Sequence, residues 1–147
     1  MFEMNRFRGF HNLRPLSMQI LAVTVMTSLG SEDLQEVGLT GSCEDHVIRL
    51  GKLAEDAGCH GVVASAKEVS LLKKVISNKM AIVTPGIRLD NFSHHDQLRT
   101  STPFEAITAG ASHLVIGRPI TQESDPILIV HKILDEIANG FVETKGL

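Results

Sequence analysis

The sequence has little cysteine, no long apolar run and no block of like charge. Its two cysteines, Cys43 and Cys59, lack CxxC spacing, so we expect reduced thiols in an intracellular, cytoplasmic protein. The longest apolar runs, such as residues 20–26, are far shorter than the roughly 20 residues of a membrane span. The 14 basic and 17 acidic residues are interspersed, with a net charge of −3. We therefore expect small-molecule ligands, and neither a nucleic acid nor a membrane partner.

Short β-rich runs alternate with amphipathic stretches from residue 19 onward, after a leader at residues 1–18 that we expect to be irregular. The predicted strands are residues 20–25, 61–65, 81–84 and 113–117. The predicted helices are residues 43–57 and 66–76, one that opens at Thr102-Pro103 and stops at Gly110, and one from Asp125-Pro126 to Gly140. A loop is expected between the first strand and the first helix. The first strand is nearly continuously apolar, as expected of a strand buried on both faces, and the alternation predicts a parallel sheet.

The length of the chain limits how much of a barrel it can supply. An eight-unit βα barrel of about 250 residues uses roughly 31 residues per unit, so residues 19–147 provide about four units. Flavodoxin-like sheets begin in the same way. The unusual residues crowd the carboxyl ends of the strands, however, which favours α/β architecture as the C-terminal half of a TIM (β/α)8 barrel. Since an open first strand is prone to pair with another chain, we expect a homodimer or association with a missing N-terminal half.

Glycine and arginine stand together just past the last two predicted strands. Gly86 and Arg88 follow the third strand, and Gly117-Arg118 ends the fourth. Glycine lets an anion approach backbone N–H groups, and arginine offers a two-pronged donor to phosphate oxygens. A solvated loop charge would account for one such pair. Two pairs on consecutive strands favour a phosphate site, which barrels commonly place after their last two strands.

Six short motifs follow one another in a fixed order along the chain. They are Ala22-Val-Thr-Val-Met-Thr-Ser28, Gly61-Val-Val-Ala-Ser65, Val83-Thr-Pro-Gly-Ile-Arg88, Asp96-Gln97, Thr102-Pro103 and Val115-Ile-Gly-Arg-Pro-Ile-Thr121. In order and spacing, this series resembles the C-terminal half of the bacterial orotidine 5′-phosphate decarboxylases, over residues 21–138. The resemblance implies a substrate-binding set of Thr27, Ser28, Arg88, Gln97, Gly117 and Arg118. The first two would lie at the pyrimidine side, the next two near the phosphate end, and the last two on the phosphate itself.

The resemblance also implies a reaction, and part of its machinery is missing. The family converts orotidine 5′-phosphate (OMP) to UMP and CO2 in de novo pyrimidine biosynthesis, without a metal or organic cofactor. A lysine of an Asp-x-Lys-x-x-Asp signature in the N-terminal half stabilises and protonates the carbanion. No Asp-x-Lys occurs in this sequence. Lys132 and Asp135 have only the Lys-x-x-Asp spacing, and we expect them to face solvent on the last helix.

We therefore expect no catalytic residue in the chain and no useful decarboxylation by it alone. One alternative is a non-catalytic phosphate-ligand binding half-barrel or a degenerate gene product. Another is a related phosphosugar barrel enzyme, such as a hexulose-phosphate synthase, because related barrels share the Gly-Arg feature.

Overall fold

The fold alternates strands and helices as the sequence predicts. A computed structural model describes residues 18–89 and 100–146, and all structural statements below concern those residues. The strands are β1 (Leu21–Val23), β2 (Gly61–Val63), β3 (Ala81–Thr84) and β4 (His113–Leu114). The helices are α1 (Ser31–Glu36), α2 (Cys43–Asp56), α3 (Ala66–Val75), α4 (Pro103–Thr108), α5 (Arg118–Thr121) and α6 (Pro126–Lys145). The predicted leader lies outside the described residues except for Met18, which is exposed.

The described strands form one parallel sheet in the order β1-β2-β3-β4. Leu21, Gly61 and Ala81 are register partners across the first three strands, and Val23, Val63 and Val83 form the next row on the same face. His113 continues that second row into β4. The predicted parallel α/β sheet, with helical connections between successive strands, is confirmed.

Local sequence signals fix where most helices begin. The Ser42 and Thr102 side chains accept hydrogen bonds from the backbone N–H three residues later. The side chains of Asp45 and Glu105 in turn accept hydrogen bonds from the backbone N–H groups of Ser42 and Thr102. These reciprocal pairs satisfy N–H groups that a helix start would otherwise leave unpaired. Proline stands at the first position of α4, as predicted from Thr102-Pro103.

The two faces of the sheet differ in how far they are covered. Ala22, Val62 and Ile82 belong to the core between the sheet and the helices, and Val62 and Ile82 are almost completely buried. The opposite face, which we call the inner face, carries alternate residues of the same strands: Leu21, Val23, Val63, Ala81, Val83 and His113. The prediction that the first strand is buried on both faces is wrong, because Val23 is 60% exposed on the inner face.

Three helical features differ from the prediction. Residues 31–36 form α1 where a loop was expected, and residues 118–121 form the short α5. The last helix does not stop at Gly140 but continues to Lys145 and ends at Gly146, whose φ is 64°. At Gly140 a Cβ would lie 3.0 Å from Ile107 and 3.1 Å from the Phe104 carbonyl oxygen. Glycine is therefore required there for close packing of α6 on α4, not to end the helix.

Candidate functional site

The carboxyl ends of the described strands form one continuous edge. Backbone hydrogen bonds continue the sheet past the strand ends, from Thr24 N to Val63 O (3.1 Å) and from Ala64 N to Val83 O (3.1 Å). A third runs from Val115 N to Thr84 O (2.9 Å). Because parallel strands all end at this edge, the loops after β1, β3 and β4 emerge on the same side of the fold.

A pocket of about 290 Å³ opens where β1, β2 and β3 end. Thr27 lies in its wall and is buried, whereas Ser28 beside it is exposed. The remaining lining is apolar and comes from the strand ends and the turn after β3: Val23, Val25, Met26, Val63, Ala64 and Pro85. None of these eight lining residues has an ionisable side chain. The pocket is therefore suited to a flat or apolar group with a few hydrogen-bonding atoms.

The turn after β3 places Arg88 at the same edge. Gly86 has a φ of 80°, a conformation that strains any residue with a Cβ, and it lets the chain turn sharply after Pro85. Arg88 N donates a hydrogen bond to Ser101 O at 3.0 Å, and Ser101 N donates to Gly86 O at 3.3 Å. The half-buried Arg88 side chain donates from Nη1 to the Ile87 carbonyl oxygen at 2.8 Å. The backbone that carries this guanidinium is thus held at two points.

The turn after β4 presents Gly117 and Arg118. Gly117 precedes α5, and its carbonyl accepts hydrogen bonds from Ile120 N (2.8 Å) and Thr121 N (3.1 Å). A Cβ built on Gly117 would meet nothing within 4 Å. Pro119 is buried and anchors the turn, whereas Arg118 is exposed. Gly117 is therefore open to the approach of a ligand.

Of the residues predicted to bind substrate, the structure brings the described ones to one edge, in two groups. Thr27 and Ser28 line the pocket at β1, and Arg88 with the Gly117-Arg118 turn lies at the adjacent strands β3 and β4. The second group does not line the pocket. Gln97 lies outside the described residues.

The sequence interpretation missed the apolar lining residues Met26, Val63 and Pro85. Their position at strand ends was the available signal, but nothing in their chemistry distinguishes them from core residues.

Lys132 and Asp135 do not lie at this edge of the sheet. Both side chains are exposed on α6, as predicted.

Among residues 18–89 and 100–146, no group of three or more histidine, cysteine, aspartate or glutamate side chains is placed to hold a metal ion. No helix in that part of the chain is both long and apolar enough to cross a membrane.

Comparison with known proteins shows what the chain is similar to. Residues 7–133 match the model of the orotidine 5′-phosphate decarboxylase / HUMPS family. The chain is 50% identical over 114 residues to orotidine 5′-phosphate decarboxylase of Hydrogenovibrio crunogenus, covering 78% of this chain and 48% of that protein. It is 48% identical over 120 residues to the Vibrio cholerae protein of the same name, covering 82% of this chain and 51% of that one.

Solved structures agree with the sequence relatives. The crystal structure of orotidine 5′-phosphate decarboxylase from Lactobacillus acidophilus superposes with a TM-score of 0.67 at 35% identity, over 81% of this chain and 49% of that one. The Pyrococcus horikoshii enzyme superposes with a TM-score of 0.61 at 20% identity, which shows the shared fold. The chain spans about half the length of the relatives that it matches. Its fold is therefore part of a TIM barrel, and the chain belongs to the orotidine 5′-phosphate decarboxylase / HUMPS family.

Proposed function

We propose that this chain is the substrate-binding C-terminal half of an orotidine 5′-phosphate decarboxylase and that it binds a pyrimidine nucleotide monophosphate, OMP or UMP, without decarboxylating it alone. Arg88, Gly117 and Arg118 hold the phosphate end, together with Gln97. Thr27 and Ser28 contact the pyrimidine side, at the pocket where β1 ends. Residues 19–147 act as the partial barrel domain, in the cytoplasm, where Cys43 and Cys59 stay reduced.

One observation carries the proposal: two arginine-bearing turns leave the paired strands β3 and β4 at the same edge as the pocket. A phosphate dianion needs several N–H donors from different directions, and two guanidinium groups on neighbouring turns can supply them. The apolar pocket on the β1 side of the same edge leaves room for a flat base. Phosphate and base would thus lie along one edge of the sheet, as a nucleotide requires.

Decarboxylation needs more than this edge provides. When the carboxylate leaves as CO2, the electron pair of the broken C–C bond stays on the ring, and that carbanion must be stabilised and protonated. The pocket lining contains no lysine or other proton donor of that kind. We propose that the complete enzyme gains its lysine and aspartates from a separate N-terminal half, and that phosphate binding here then contributes to turnover as remote binding energy.

Calorimetry with UMP tests the binding site. The native chain should bind UMP, and Arg118→Ala should weaken that binding roughly tenfold to hundredfold, because a charge-assisted hydrogen bond contributes about 1.5–3 kcal/mol. The matched control is Lys132→Ala, which removes one positive charge from the exposed face of α6 and should bind UMP like the native chain. Uridine, which lacks the phosphate, should bind the native chain and Arg118→Ala equally weakly.

Two results would contradict the proposal. A folded chain that does not bind UMP, or that binds it independently of Arg118, would indicate a degenerate product without a working phosphate site. Release of CO2 from OMP by the purified chain would show that it catalyses without the Asp-x-Lys-x-x-Asp signature.

A further inference from the structure

The end of β1 is attached to the end of β2 by two hydrogen bonds from a single residue. Thr24 follows β1 directly, and its backbone N–H donates to the Val63 carbonyl oxygen at 3.1 Å. The Thr24 side-chain hydroxyl donates to the same oxygen at 2.8 Å. A carbonyl oxygen has two lone pairs and can accept both bonds. Because the backbone N–H already pairs with this carbonyl, the hydroxyl bond is an addition to the sheet ladder.

The corresponding bonds between the other strand ends come from the backbone. Ala64 N donates to Val83 O at 3.1 Å. Val115 N donates to Thr84 O at 2.9 Å. The side chains of alanine and valine have no donor that could add a second bond. Of these three junctions, the one at the end of β1 is therefore the one that a side chain also holds.

The residues that follow Thr24 form the β1 side of the pocket. Thr27, three positions later, is 8% exposed and lies in the pocket wall. Leu29 N donates to Met26 O at 3.0 Å, which closes the turn that carries Thr27. Val63, whose carbonyl receives both bonds from Thr24, also lines the pocket. Thr24 thus joins the two strand ends from which these lining residues come.

Thr24 is not one of the eight described residues that line the pocket. The proton of its hydroxyl is directed at the Val63 carbonyl oxygen. An effect of Thr24 on a bound ligand must therefore pass through residues that do line the pocket, and Thr27 is the nearest of these with a hydrogen-bonding side chain.

We propose that Thr24 is a positioning residue that fixes Thr27 for contact with the pyrimidine ring of a bound nucleotide. This role rests on the proposed function, in which Thr27 contacts the pyrimidine side. By holding the end of β1 against Val63, the Thr24 hydroxyl restricts where the next three residues can lie. The ligand then does not have to order this wall of the pocket when it binds, and such preorganisation raises affinity.

The phosphate end should be insensitive to the Thr24 hydroxyl. Arg88 and Arg118 follow β3 and β4, whereas the hydroxyl bond joins β1 to β2. The strand order β1-β2-β3-β4 separates that bond from the β4 turn by two strands. Loss of the hydroxyl should therefore reduce the part of the affinity that comes from the base. General unfolding would instead reduce the affinity for every ligand equally.

Calorimetry with UMP and with ribose 5-phosphate, which lacks the base, separates these two effects. Thr24→Val removes the hydroxyl and keeps the shape of the side chain. It should weaken UMP binding about threefold to tenfold, the range that one neutral hydrogen bond supports, and leave ribose 5-phosphate binding unchanged. Thr24→Ser keeps the hydroxyl and should bind UMP like the native chain. Circular dichroism should show the native helix content in both variants, since the Val63 carbonyl keeps its backbone partner.

A second background tests whether Thr24 acts through Thr27. In a Thr27→Val chain, adding Thr24→Val should change the UMP affinity by less than about twofold, because two residues that act through one contact do not have additive effects.

The matched control is Thr144→Val. The Thr144 hydroxyl likewise donates to a backbone carbonyl oxygen, that of Gly140, at 2.7 Å. This bond lies within α6 and joins no strand, so the control should bind UMP like the native chain.

Several results would overturn the role of Thr24. They are an unchanged UMP affinity in Thr24→Val, an equal loss of affinity for UMP and ribose 5-phosphate, a loss of helix content in Thr24→Val, and no recovery in Thr24→Ser. A full effect of Thr24→Val in the Thr27→Val background, or an equal effect of Thr144→Val, would do the same. A native chain that binds UMP through Arg118 but is indifferent to Thr24→Val would refute this role alone. A native chain that binds neither ligand would refute the proposed function, and the role of Thr24 with it.

Discussion

Replacing Gly61 by alanine tests how closely β2 and β3 approach on the inner face. A Cβ at Gly61 would lie 2.5 Å from the Ala81 carbonyl oxygen and 2.8 Å from Ala81 Cβ, whereas ordinary contacts begin at 3.4 Å. The strands would have to separate by about 0.9 Å, the difference between 2.5 and 3.4 Å. Because the obstructing atom belongs to a paired backbone, we place the strain at about 3 kcal/mol, the upper end of overpacking costs. The stiffer unfolded chain offsets up to about 1 kcal/mol, leaving about 2 kcal/mol of destabilisation.

The measurement is urea unfolding followed by far-ultraviolet circular dichroism, since the chain has no tryptophan or tyrosine to report by fluorescence. Protein concentration is held constant because self-association adds to apparent stability. Gly51→Ala is the matched control. Its Cβ would meet a terminal methyl group of the Leu72 side chain at 2.6 Å and not a backbone atom, and helix propensity gains about 1 kcal/mol, so its net effect should stay within about 1 kcal/mol of zero. Equal free energies of unfolding for the two variants would refute the strand spacing described here.

Two further substitutions probe hydrogen bonds. Thr84→Val should raise the free energy of unfolding by about 1 kcal/mol in the same urea assay, because Thr84 Oγ1 is buried without a hydrogen-bond partner among the described residues. A loss of stability would instead show that this hydroxyl has a hydrogen-bond partner. Ser42→Ala should raise the pKa of Asp45, measured by NMR titration, because hydrogen bonds from the Ser42 side chain and backbone hold that pKa below its ordinary value of 3.8. The Ser42-Asp45 interaction should therefore stabilise the native chain fully above the ordinary pKa of 3.8 and progressively less as the pH falls through the lower pKa of the folded chain. An unchanged Asp45 pKa in Ser42→Ala would contradict the role of the Ser42 hydroxyl.

Features that depend on neighbouring residues in the chain could be predicted from the sequence. The bounds of β3 were predicted without error, because a short β-branched run ends at a proline. The start of α4 at Thr102-Pro103 was also predicted, since a hydroxyl residue there precedes a proline that can occupy the first helical position. In these cases the physical cause lies within a few residues and is visible in the sequence.

Features that depend on distant packing could not be predicted in the same way. Gly140 has the pattern of a helix stop, yet its role is set by Ile107, which is 33 positions earlier and packs against it. The exposure of Val23 likewise depends on how many strands surround the inner face, not on the residues around it. The Gly-Arg turns could be recognised in the sequence because glycine next to arginine is unusual at a strand end. Met26 and Val63 have the side chains of ordinary core residues, and only the structure shows that they line the same pocket as Thr27.

The residues that stabilise the fold are likewise different from those that would bind a nucleotide. Its fully buried side chains, such as Leu72 and Ile82, lie between the sheet and the helices and need no partner to be covered. The pocket at Thr27 borders the inner face, where Val23 is still exposed. Closing the barrel would therefore add little to the existing core but would exclude water from the pocket, which strengthens the hydrogen bonds that Thr27 and Ser28 can make to a ligand there. Folding can precede closure, whereas tight nucleotide binding should depend on it, so adding the N-terminal half of a full-length relative should raise the affinity for UMP measured by calorimetry.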